Sequence, residues 1–321
     1  MSLKKYILRR CLQLAIVVIA VIVTNFIIIH LTPGDPVKLM VSDYAPPEFI
    51  EAARIRFGLD KPLIDQLGIY MLSIFQGDFG YSFYFGSPVL DVVLERLPAT
   101  LWLMGTGYVI GAVLGILFGV VSAVRRYSIW DNVTMVTSLI FYSLPTFWLG
   151  LILMLIFSIY LGWFPAQGMY SPTAPSGILG FLDFCRHLAL PSLVVGAWNI
   201  ALVTRLTRAN MLDVLHMDFM KTARSKGLRE NTVIFKHALP NAISPVVTVL
   251  GLNAGRAFGG SVLVETIFGW PGIGRLTYQS LLMRDYPVLM GIFIVTSLMI
   301  VLFNLVTDIM YAVIDPRVRY K

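Results

Sequence analysis

Residues 98–124 read P-A-T-L-W-L-M-G-T-G-Y-V-I-G-A-V-L-G-I-L-F-G-V-V-S-A-V and contain no charged side chain. A helix of about 20 apolar residues is long enough to cross the roughly 30 Å hydrocarbon core of a bilayer. This uninterrupted run therefore predicts a transmembrane helix, and the fold of the whole chain depends on how often such runs recur.

Apolar runs of similar length recur along the whole chain. Hydrophobic residues make up 57% of the 321 residues and charged residues only 13%, which is too apolar for one water-soluble core. The other candidate spans are 8–31, 132–161, 187–207, 242–266 and 287–313. We therefore expect an all-α integral-membrane fold with six transmembrane helices. The first span follows basic residues as in a signal peptide, but it is too long for one, so we expect it to be retained.

Lysine and arginine are concentrated in alternate connections between the predicted spans. If the N-terminus lies inside, the inner segments hold 16 of the 25 Lys and Arg, whereas the outer segment 32–97 holds five against nine Asp and Glu. The positive-inside rule then places both termini in the cytoplasm. Because the net charge of +7 follows from this topology, it does not argue for a nucleic-acid partner.

The spans and their connections divide the chain into three parts. Residues 1–97 hold the first helix and the outer segment, and residues 98–313 form a five-helix transmembrane domain. That domain includes a cytoplasmic loop at 208–240, and residues 314–321 form a cytoplasmic tail.

The outer segment 32–97 is large enough to form a small domain outside the membrane. The run P-G-D-P at 33–36 predicts a turn, and Pro47 predicts the start of a helix. Residues 62–75 predict a second, amphipathic helix that ends at Gly77. This segment either caps the membrane or docks an extracytoplasmic partner.

Glycine recurs at every fourth residue within two of the spans. The two series are Gly107, Gly111, Gly115 and Gly119, and Gly251, Gly255 and Gly259. Glycine costs about 1 kcal/mol relative to alanine in a helix. Seven such positions therefore indicate close helix packing in the membrane or pairing with another subunit.

Polar side chains inside the predicted spans are candidates for the translocation path, because their burial in hydrocarbon is costly. Arg256 falls in the fifth span, where it either lines a water-filled path or pairs with a carboxylate such as Glu265 or Asp308. Asn304 and Asp308 lie on one face of the sixth span at i, i+4 spacing. Structural pairing is the alternative for these residues too.

The sequence lacks the motifs of several classes of enzyme. It contains no G-x-x-x-x-G-K-[ST] phosphate loop, no H-E-x-x-H motif or Cys/His cluster and no G-x-S-x-G turn, and its four histidines are scattered. We expect no catalytic residue, no bound cofactor and no metal site in this chain. Its two cysteines leave no disulfide framework.

The connection 205–240 is much longer than a turn between two helices requires, and it carries seven Lys or Arg. Residues 213–226 predict a short amphipathic helix. Its expected apolar side chains are Leu212, Leu215 and Phe219. Gly227 predicts a left-handed stop, and Glu230 or Asn231 is a candidate cap for the next helix. By composition alone, the loop either docks a partner or is a basic segment held near anionic lipid.

Residues 221–240 resemble the E-A-A-x(3)-G-x(9)-I-x-L-P motif of permease subunits of bacterial and archaeal ABC importers. The aligned residues are Lys221, Thr222, Ala223, Gly227, His237, Leu239 and Pro240. Lys221, Thr222 and His237 depart from the motif, and the other four agree with it.

Further segments are similar to the dipeptide, oligopeptide and nickel branch of this family, and in particular to its first permease subunit. They are P-G-D-P at 33–36, L-P-A-T at 97–100, F-G-W-P-G-I-G-R-L at 268–276, R-D-Y-P-V at 284–288, N-L-V-T-D at 304–308 and D-P-R at 315–317. Together with the loop, these matches extend over almost the whole chain.

The resemblance implies the type I (MetI-like) importer-permease fold, in a multi-pass protein of the cytoplasmic membrane of a bacterium or archaeon. The implied partners are a second homologous permease, two ATPase subunits that bind ATP and Mg²⁺, an extracytoplasmic substrate-binding protein and membrane lipid. The loop would dock an ATPase and couple its nucleotide cycle to the spans. The residues that the resemblance assigns to coupling are Lys221, Thr222, Ala223, Arg224, Gly227, Leu228, His237, Leu239 and Pro240.

Within this branch, short peptides are the expected cargo, and nickel, glutathione and oligosaccharides are alternatives. An ion-coupled secondary transporter is a remote alternative, because it would normally carry internal repeats and intramembrane acidic residues, whereas here no repeat is visible and the acidic residues are few. A scaffold without transport activity would explain the loop, but not the glycine series and the outer segment together.

Overall fold

The structure, a computed structural model, describes residues 3–31, 45–56, 60–174, 176–257 and 260–314. These ranges are mostly α-helical and include two short antiparallel strands. The elements in chain order are α1 (Leu3–Leu31), α2 (Pro47–Arg56), α3 (Leu63–Phe75), β1 (Tyr81–Ser82), β2 (Ser87–Pro88), α4 (Val89–Val124), α5 (Ile129–Ser143), α6 (Thr146–Leu153), α7 (Ile178–Leu215), α8 (Asp218–Ser225), α9 (Glu230–Thr232), α10 (Leu239–Ala242), α11 (Ser244–Ala257), α12 (Val262–Ile267), α13 (Ile273–Leu282) and α14 (Tyr286–Ile314). Two π-helical segments, Met154–Tyr160 and Val233–Ala238, directly follow α6 and α9.

Three stretches of helix are long and apolar enough to cross a membrane without a break: α4, α7 and residues Tyr286–Thr307 of α14. They confirm helices at the second, fourth and sixth predicted spans. The shorter apolar stretch Ala15–Leu31 lies within α1, which confirms a helix at the first. The chain is therefore a multi-pass membrane protein, whereas the exact number of six spans and the cytoplasmic location of the termini stay predictions.

The third predicted span, 132–161, is wrong as a single straight helix. Between α5 and the segment Thr146–Tyr160 the helix axis turns by 115°. Leu144, at the break, has an extended backbone with a ψ of 135°. The ring of Pro145 explains this conformation, because it disfavours the α-helical region for the residue before it.

The fifth predicted span, 242–266, is also not one helix, since α11 and α12 are separate. Gly260, just before α12, has a φ of +82°, a left-handed conformation that glycine adopts without steric cost and that a right-handed helix does not contain. A bend of 49° also separates Glu230–Ala242 from Ser244–Asn253. The predicted span is therefore not a single straight helix.

Contacts between residues divide the chain into two compact units. Unit 1 comprises Met1–Leu101, Phe258–Thr266 and Pro271–Lys321, and unit 2 comprises Trp102–Ala257 and Ile267–Trp270. The boundary passes through α4, whose first turns belong to unit 1 and whose remainder belongs to unit 2.

In unit 1, α3 packs against α1 and α14. Side chains from the three helices form a buried cluster of Ile22, Phe26, Ile29, Tyr70, Ile74, Met290 and Ile294. The predicted helix at 62–75 is thus confirmed as α3, and Gly77 follows it with a φ of +83°. The start of α2 at Pro47 is confirmed as well, whereas the predicted turn at 33–36 lies outside the described residues.

In unit 2, the first glycine series lies on the side of α4 that faces α7. The facing residues are Gly107 with Ser192, Gly111 with Asn199, Gly115 with Val203 and Gly119 with Thr207. At each of these glycines an added Cβ would lie less than 3.0 Å from an atom of α7. The backbones approach so closely that only glycine fits, which confirms the predicted packing for this series. In the second series, Gly259 lies outside the described residues.

An ion pair in unit 2 joins α5 and α7 to the end of α4. Arg208 of α7 donates from Nη2 to Oδ2 of Asp131 at 2.8 Å and from Nε to Oδ1 at 2.9 Å. Ser122 of α4 donates its hydroxyl to Asp131 and accepts a hydrogen bond from Nε of Arg208. The Asp131 side chain is only 4% exposed. Removal of one partner of such a pair costs about 3–5 kcal/mol, because the other charge is left buried and unpaired.

Substitution of Gly111 by alanine should destabilise the contact between α4 and α7. The new methyl group would lie 2.6 Å from Cβ of Asn199 and 2.9 Å from the carbonyl oxygen of Gly196, so the helices must separate. Overpacking of this kind costs typically about 1–3 kcal/mol. We expect the thermal unfolding midpoint of the purified protein to fall.

Gly68→Ala in α3 is the matched control for this experiment. A Cβ at Gly68 meets no atom within 4 Å, and alanine is favoured over glycine in a helix by about 1 kcal/mol. Its midpoint should stay the same or rise. Equal midpoints for the Gly111→Ala protein and the unmodified protein would contradict the close packing.

Candidate functional site

The loop between α7 and α11 starts with a sharp turn. α7 continues to Leu215, and Met217 is extended with a ψ of 151° before α8 begins at Asp218. The prediction of a separate helix from Asp213 was therefore wrong. Both positions are aspartates suited to a helix N-terminus, but Asp213 lies inside a helix that continues from the span.

α8 has one buried and one exposed side. Met220 is fully buried and Ala223 nearly so, whereas Phe219 is 42% exposed. The predicted apolar side of the helix was thus wrong at Phe219. Because α8 begins at Asp218, Met220 and not Phe219 lies on its buried side. Leu212 and Leu215, from the last turn of α7, do pack against the buried cluster as partly buried side chains.

The buried side of α8 belongs to a cluster that joins the loop to two long helices. Its buried members are Val120 and Ala123 from α4, Met211 and Val214 from α7, Met220 and Ala223 from α8, Val233, Ile234 and Ala238 from the π-helical segment, and Ala242 from α10. The whole loop is therefore folded onto the ends of α4 and α7.

Gly227 ends α8, as the sequence predicts. Its φ is +71°, and its amide donates to the carbonyl of Arg224 at 2.9 Å. A Cβ at this position would meet no atom within 4 Å. Glycine is therefore favoured here by the left-handed backbone, and the space beside it is open.

An ion pair spans the turn at Gly227. Arg224 of α8 donates from Nη2 to Oε1 of Glu230 at 2.9 Å and from Nε to Oε2 at 3.4 Å. The hydrogen bond from Arg224 to the Glu230 carboxylate raises the pKa of the guanidinium above its ordinary value. The predicted capping role of Glu230 was wrong, since α9 has no side-chain cap and this carboxylate binds Arg224 instead.

The segment after α9 widens into π-helical turns before Pro240. Because proline has no amide hydrogen, Pro240 cannot donate to the carbonyl of Lys236, as an α-helix would require. Val233–Ala238 take i→i+5 turns just before this proline, and π turns of this kind are frequent at functional sites. His237, within the segment, is half-buried.

The loop exposes large apolar side chains among basic ones. Met217, Phe219, Leu228 and Phe235 are 47%, 42%, 38% and 54% exposed. Lys221, Arg224 and Lys226 are exposed as well. We call these seven residues the exposed loop face. Exposed apolar residues with polar neighbours are typical of surfaces that contact another protein or a membrane.

The structure brings the two halves of the predicted coupling motif together, because Ala223 lies in the same cluster as Val233 and Ala238. Of the nine coupling residues, Ala223 is buried, His237 and Leu239 are half-buried, and the other six are exposed. The exposed six are Lys221, Thr222, Arg224, Gly227, Leu228 and Pro240.

Of the three residues predicted to line the translocation path, the structure describes one side chain. Asn304 is half-buried on α14, and the side chains of Arg256 and Asp308 lie outside the described part of the structure. Glu265, a possible partner of Arg256 by sequence, is fully buried and accepts hydrogen bonds from Thr100 and from the amide of Arg275, each at 3.0 Å.

Sequence reasoning missed several residues of the loop and its support. Met220 anchors α8, Phe235 contributes to the exposed loop face, and Glu230 pairs with Arg224. The hydrophobic pattern contained a signal for Met220, since Met220 and Ala223 are three residues apart on one helix face. No local pattern predicts the pair of Asp131 and Arg208, which are 77 residues apart.

Residues 115–320 match the family of binding-protein-dependent transport system inner membrane components, and residues 3–104 match the N-terminal part of such components. The chain belongs to this family. It is 42% identical over 320 residues to the oligopeptide transport system permease protein AppB of Bacillus subtilis (strain 168), covering 98% of this chain and 99% of the relative. It is also 41% identical over 316 residues to the glutathione transport system permease protein GsiC of Escherichia coli (strain K12), with 98% and 99% coverage.

These matches confirm the resemblance to the peptide and nickel branch of ABC importer permeases. Because the family consists of membrane components of transport systems, this chain is a transport subunit and not an enzyme. ATP hydrolysis in such systems is carried out by separate ATPase subunits.

Met220→Ala and Phe219→Ala test the two sides of α8. Loss of the buried Met220 side chain should destabilise the packed loop by about 2–5 kcal/mol. Loss of the exposed Phe219 side chain should change stability by no more than about 0.5 kcal/mol. We expect trypsin to cleave the loop of the purified Met220→Ala protein faster, and that of the Phe219→Ala protein at the unmodified rate. Equal cleavage of the two variants would contradict the orientation of α8.

Proposed function

We propose that this chain is one of two homologous permease subunits of an ATP-driven peptide importer, and that ATP hydrolysis acts on it through the loop 208–240. The observation that carries this proposal is the folded loop itself. Its buried side is packed onto α4 and α7, and its other side exposes apolar and basic residues. Such an arrangement suits an element that binds a partner and transmits its movement.

The proposed partner at the exposed loop face is an ATPase subunit. The sequence has no phosphate loop, so ATP and Mg²⁺ would bind to two ATPase subunits outside this chain. The four large apolar side chains of this face would supply buried area in the contact, and Lys226 would pair with an acidic group of the ATPase, since Lys221 and Arg224 already pair with Asp218 and Glu230. The residues proposed for coupling remain Lys221, Thr222, Ala223, Arg224, Gly227, Leu228, His237, Leu239 and Pro240.

The packing of the loop would make it move together with the spans. Packed interiors of side chains deform little, so a displacement of α8 is passed to the residues against which it packs. Through the buried cluster these are Val120 of α4 and Met211 of α7. The ion pair of Arg208 with Asp131 extends the connection to α5. Closure of the ATPases would thereby reach three helices through one loop, as a rigid-body rearrangement.

The proposed topology follows from this contact. The loop and both termini would lie in the cytoplasm, and the segment 32–97 would lie outside, where an extracytoplasmic binding protein delivers cargo. Residues 98–313 would form the transmembrane domain in the cytoplasmic membrane of a bacterium or archaeon. The positive-inside distribution of Lys and Arg supports this orientation.

Short peptides are the proposed cargo. The two relatives are named for oligopeptide and glutathione transport, and glutathione is itself a small peptide. The proposed route lies at the interface with the second permease, and Arg256, Asn304 and Asp308 are the proposed polar residues of the path.

Gly227→Asp should uncouple ATP hydrolysis from uptake. Aspartate tolerates the left-handed backbone at this position, so the subunit should insert and assemble. Its carboxylate would however be desolvated under the docked ATPase, at a cost of more than about 1.4 kcal/mol, which corresponds to tenfold. With the reconstituted importer, its binding protein and ATP, we expect uptake of trialanine to fall at least about tenfold while ATP hydrolysis continues.

Gly227→Asn is the matched control, because asparagine has the same shape and the same tolerance of positive φ but no charge. It should retain most of the uptake. Normal uptake by the Gly227→Asp importer would rule out the coupling role. Failure of the unmodified importer to take up any peptide would rule out the proposed cargo.

Arg256→Ala tests the proposed path. If the guanidinium lines a water-filled route, its loss should change the rate of transport or the preference among acidic, neutral and basic tripeptides. Arg256→Lys keeps the charge and should stay closer to the unmodified importer. An unchanged profile of tripeptide uptake in Arg256→Ala vesicles would assign this residue to structural pairing.

A further inference from the structure

A cavity of about 300 Å³ lies in unit 1, outside all the residues assigned above. Its walls come from the β1–β2 turn, from α4 and from α13. The lining residues that matter for its chemistry are Tyr84, Phe85, Arg96, Gly272, Arg275 and Gln279. Its volume falls at the lower end of the range for small-molecule sites.

The cavity is equipped to bind an anion. Its lining residues include two arginines, Arg96 and Arg275, and Gln279, and none of them is acidic. Within the described part of the chain, Nε of Arg96 is buried and has no hydrogen-bond partner. A buried donor without an acceptor destabilises the protein, and more strongly when it is charged. An acceptor from a ligand would remove this cost.

The buried carboxylate of Glu265, beside the cavity, has other partners. Glu265 accepts hydrogen bonds from the hydroxyl of Thr100 and from the amide of Arg275, at the start of α13. A Cβ at Gly272 would lie 2.5 Å from Oε2 of Glu265, so the wall at Gly272 is packed directly onto this buried carboxylate. Glu265 therefore stabilises one wall of the cavity, and it is not among the lining residues.

The wall at Tyr84 and Phe85 is also held in place. The amide of Phe85 donates to Oγ of Ser82 at 3.0 Å, and that hydroxyl donates to the buried carboxylate of Asp285. The ring centroids of Tyr84 and Phe85 are 5.0 Å apart in an edge-to-face arrangement. Tyr84 and Phe85 thus line the same cavity as Arg96 and Arg275.

We propose that this cavity binds the C-terminal carboxylate of a short peptide, with the last side chain of the peptide against Tyr84 and Phe85. Arginine is the side chain best matched to a carboxylate, which it binds through two parallel hydrogen bonds. Every peptide with a free C-terminus carries this group, whatever its sequence. The volume of the cavity is larger than a single acidic side chain of a docking protein would fill. The proposal rests on the proposed function only for the identity of the molecule that bears the carboxylate.

The test compares trialanine with trialanine amide, which lacks the terminal charge. Binding is measured by calorimetry to the complete importer, with both permeases and both ATPases, in lipid nanodiscs without the binding protein. Because hydrogen bonds to a charged group are stronger than those to a neutral one, trialanine should bind at least about tenfold more tightly than its amide. Arg96→Gln should abolish this preference, and Gln279→Leu should reduce it.

Arg284→Gln is the matched control, since Arg284 is exposed and does not line the cavity. It should keep the full preference for trialanine. Equal affinities of the unmodified importer for the two peptides, or no measurable binding of trialanine at millimolar concentration, would overturn the proposal. A preference that persists in both Arg96→Gln and Gln279→Leu would overturn it as well.

A second measurement separates this site from a protein-docking site. If Arg96→Gln weakens association of the importer with its unloaded binding protein but leaves the preference for trialanine intact, the cavity accepts a side chain of that protein and the proposal is wrong. A third outcome would contradict the proposed function itself. In that case the unmodified importer, supplied with binding protein and ATP, would take up no peptide at all.

Discussion

The close approach of α4 and α7 is the contact on which the rest of unit 2 depends. Four glycines of α4 lie against α7 with no room for a Cβ, so the two helices are fixed at backbone distance along four turns. In lipid the hydrophobic effect does not drive such contacts, and close packing of small residues takes its place. The ends of both helices are thereby held side by side, and they form the surface onto which the loop folds.

Different side chains of the loop attach it to this surface and remain exposed for a partner. Buried apolar side chains, such as Met220, Ala223 and Val233, attach it to the helix ends. Other apolar side chains, such as Phe219 and Phe235, stay exposed. The ion pair of Arg224 with Glu230 holds the two arms of the loop together across Gly227. Being exposed, this pair contributes no more than about 1 kcal/mol, and most of the stability of the loop comes from the buried cluster.

Features that depend on local composition were predicted correctly from the sequence. The long apolar helices, the left-handed Gly227 and the helix α3 all follow from residue type and short-range spacing. The breaks at Pro145 and Gly260 were missed because a hydropathy pattern does not report backbone angles. The start of α8 was placed at the wrong aspartate, since both positions have the same local preference. The cavity at Arg96 and the partner of Asp131 were missed because their residues are brought together only by the tertiary fold.

The pair of Asp131 and Arg208 has a consequence for biosynthesis. Arg208 follows Asp131 by 77 residues, and chains are elongated at about 5–20 residues per second, so the carboxylate emerges roughly 4–15 s before its partner. During that interval α5 has a charged group that no later helix has yet neutralised. Because an unpaired charge is costly in hydrocarbon, the start of α5 is best accommodated in water until α7 is made. The start of α5 can therefore become buried only after α7 has been synthesised.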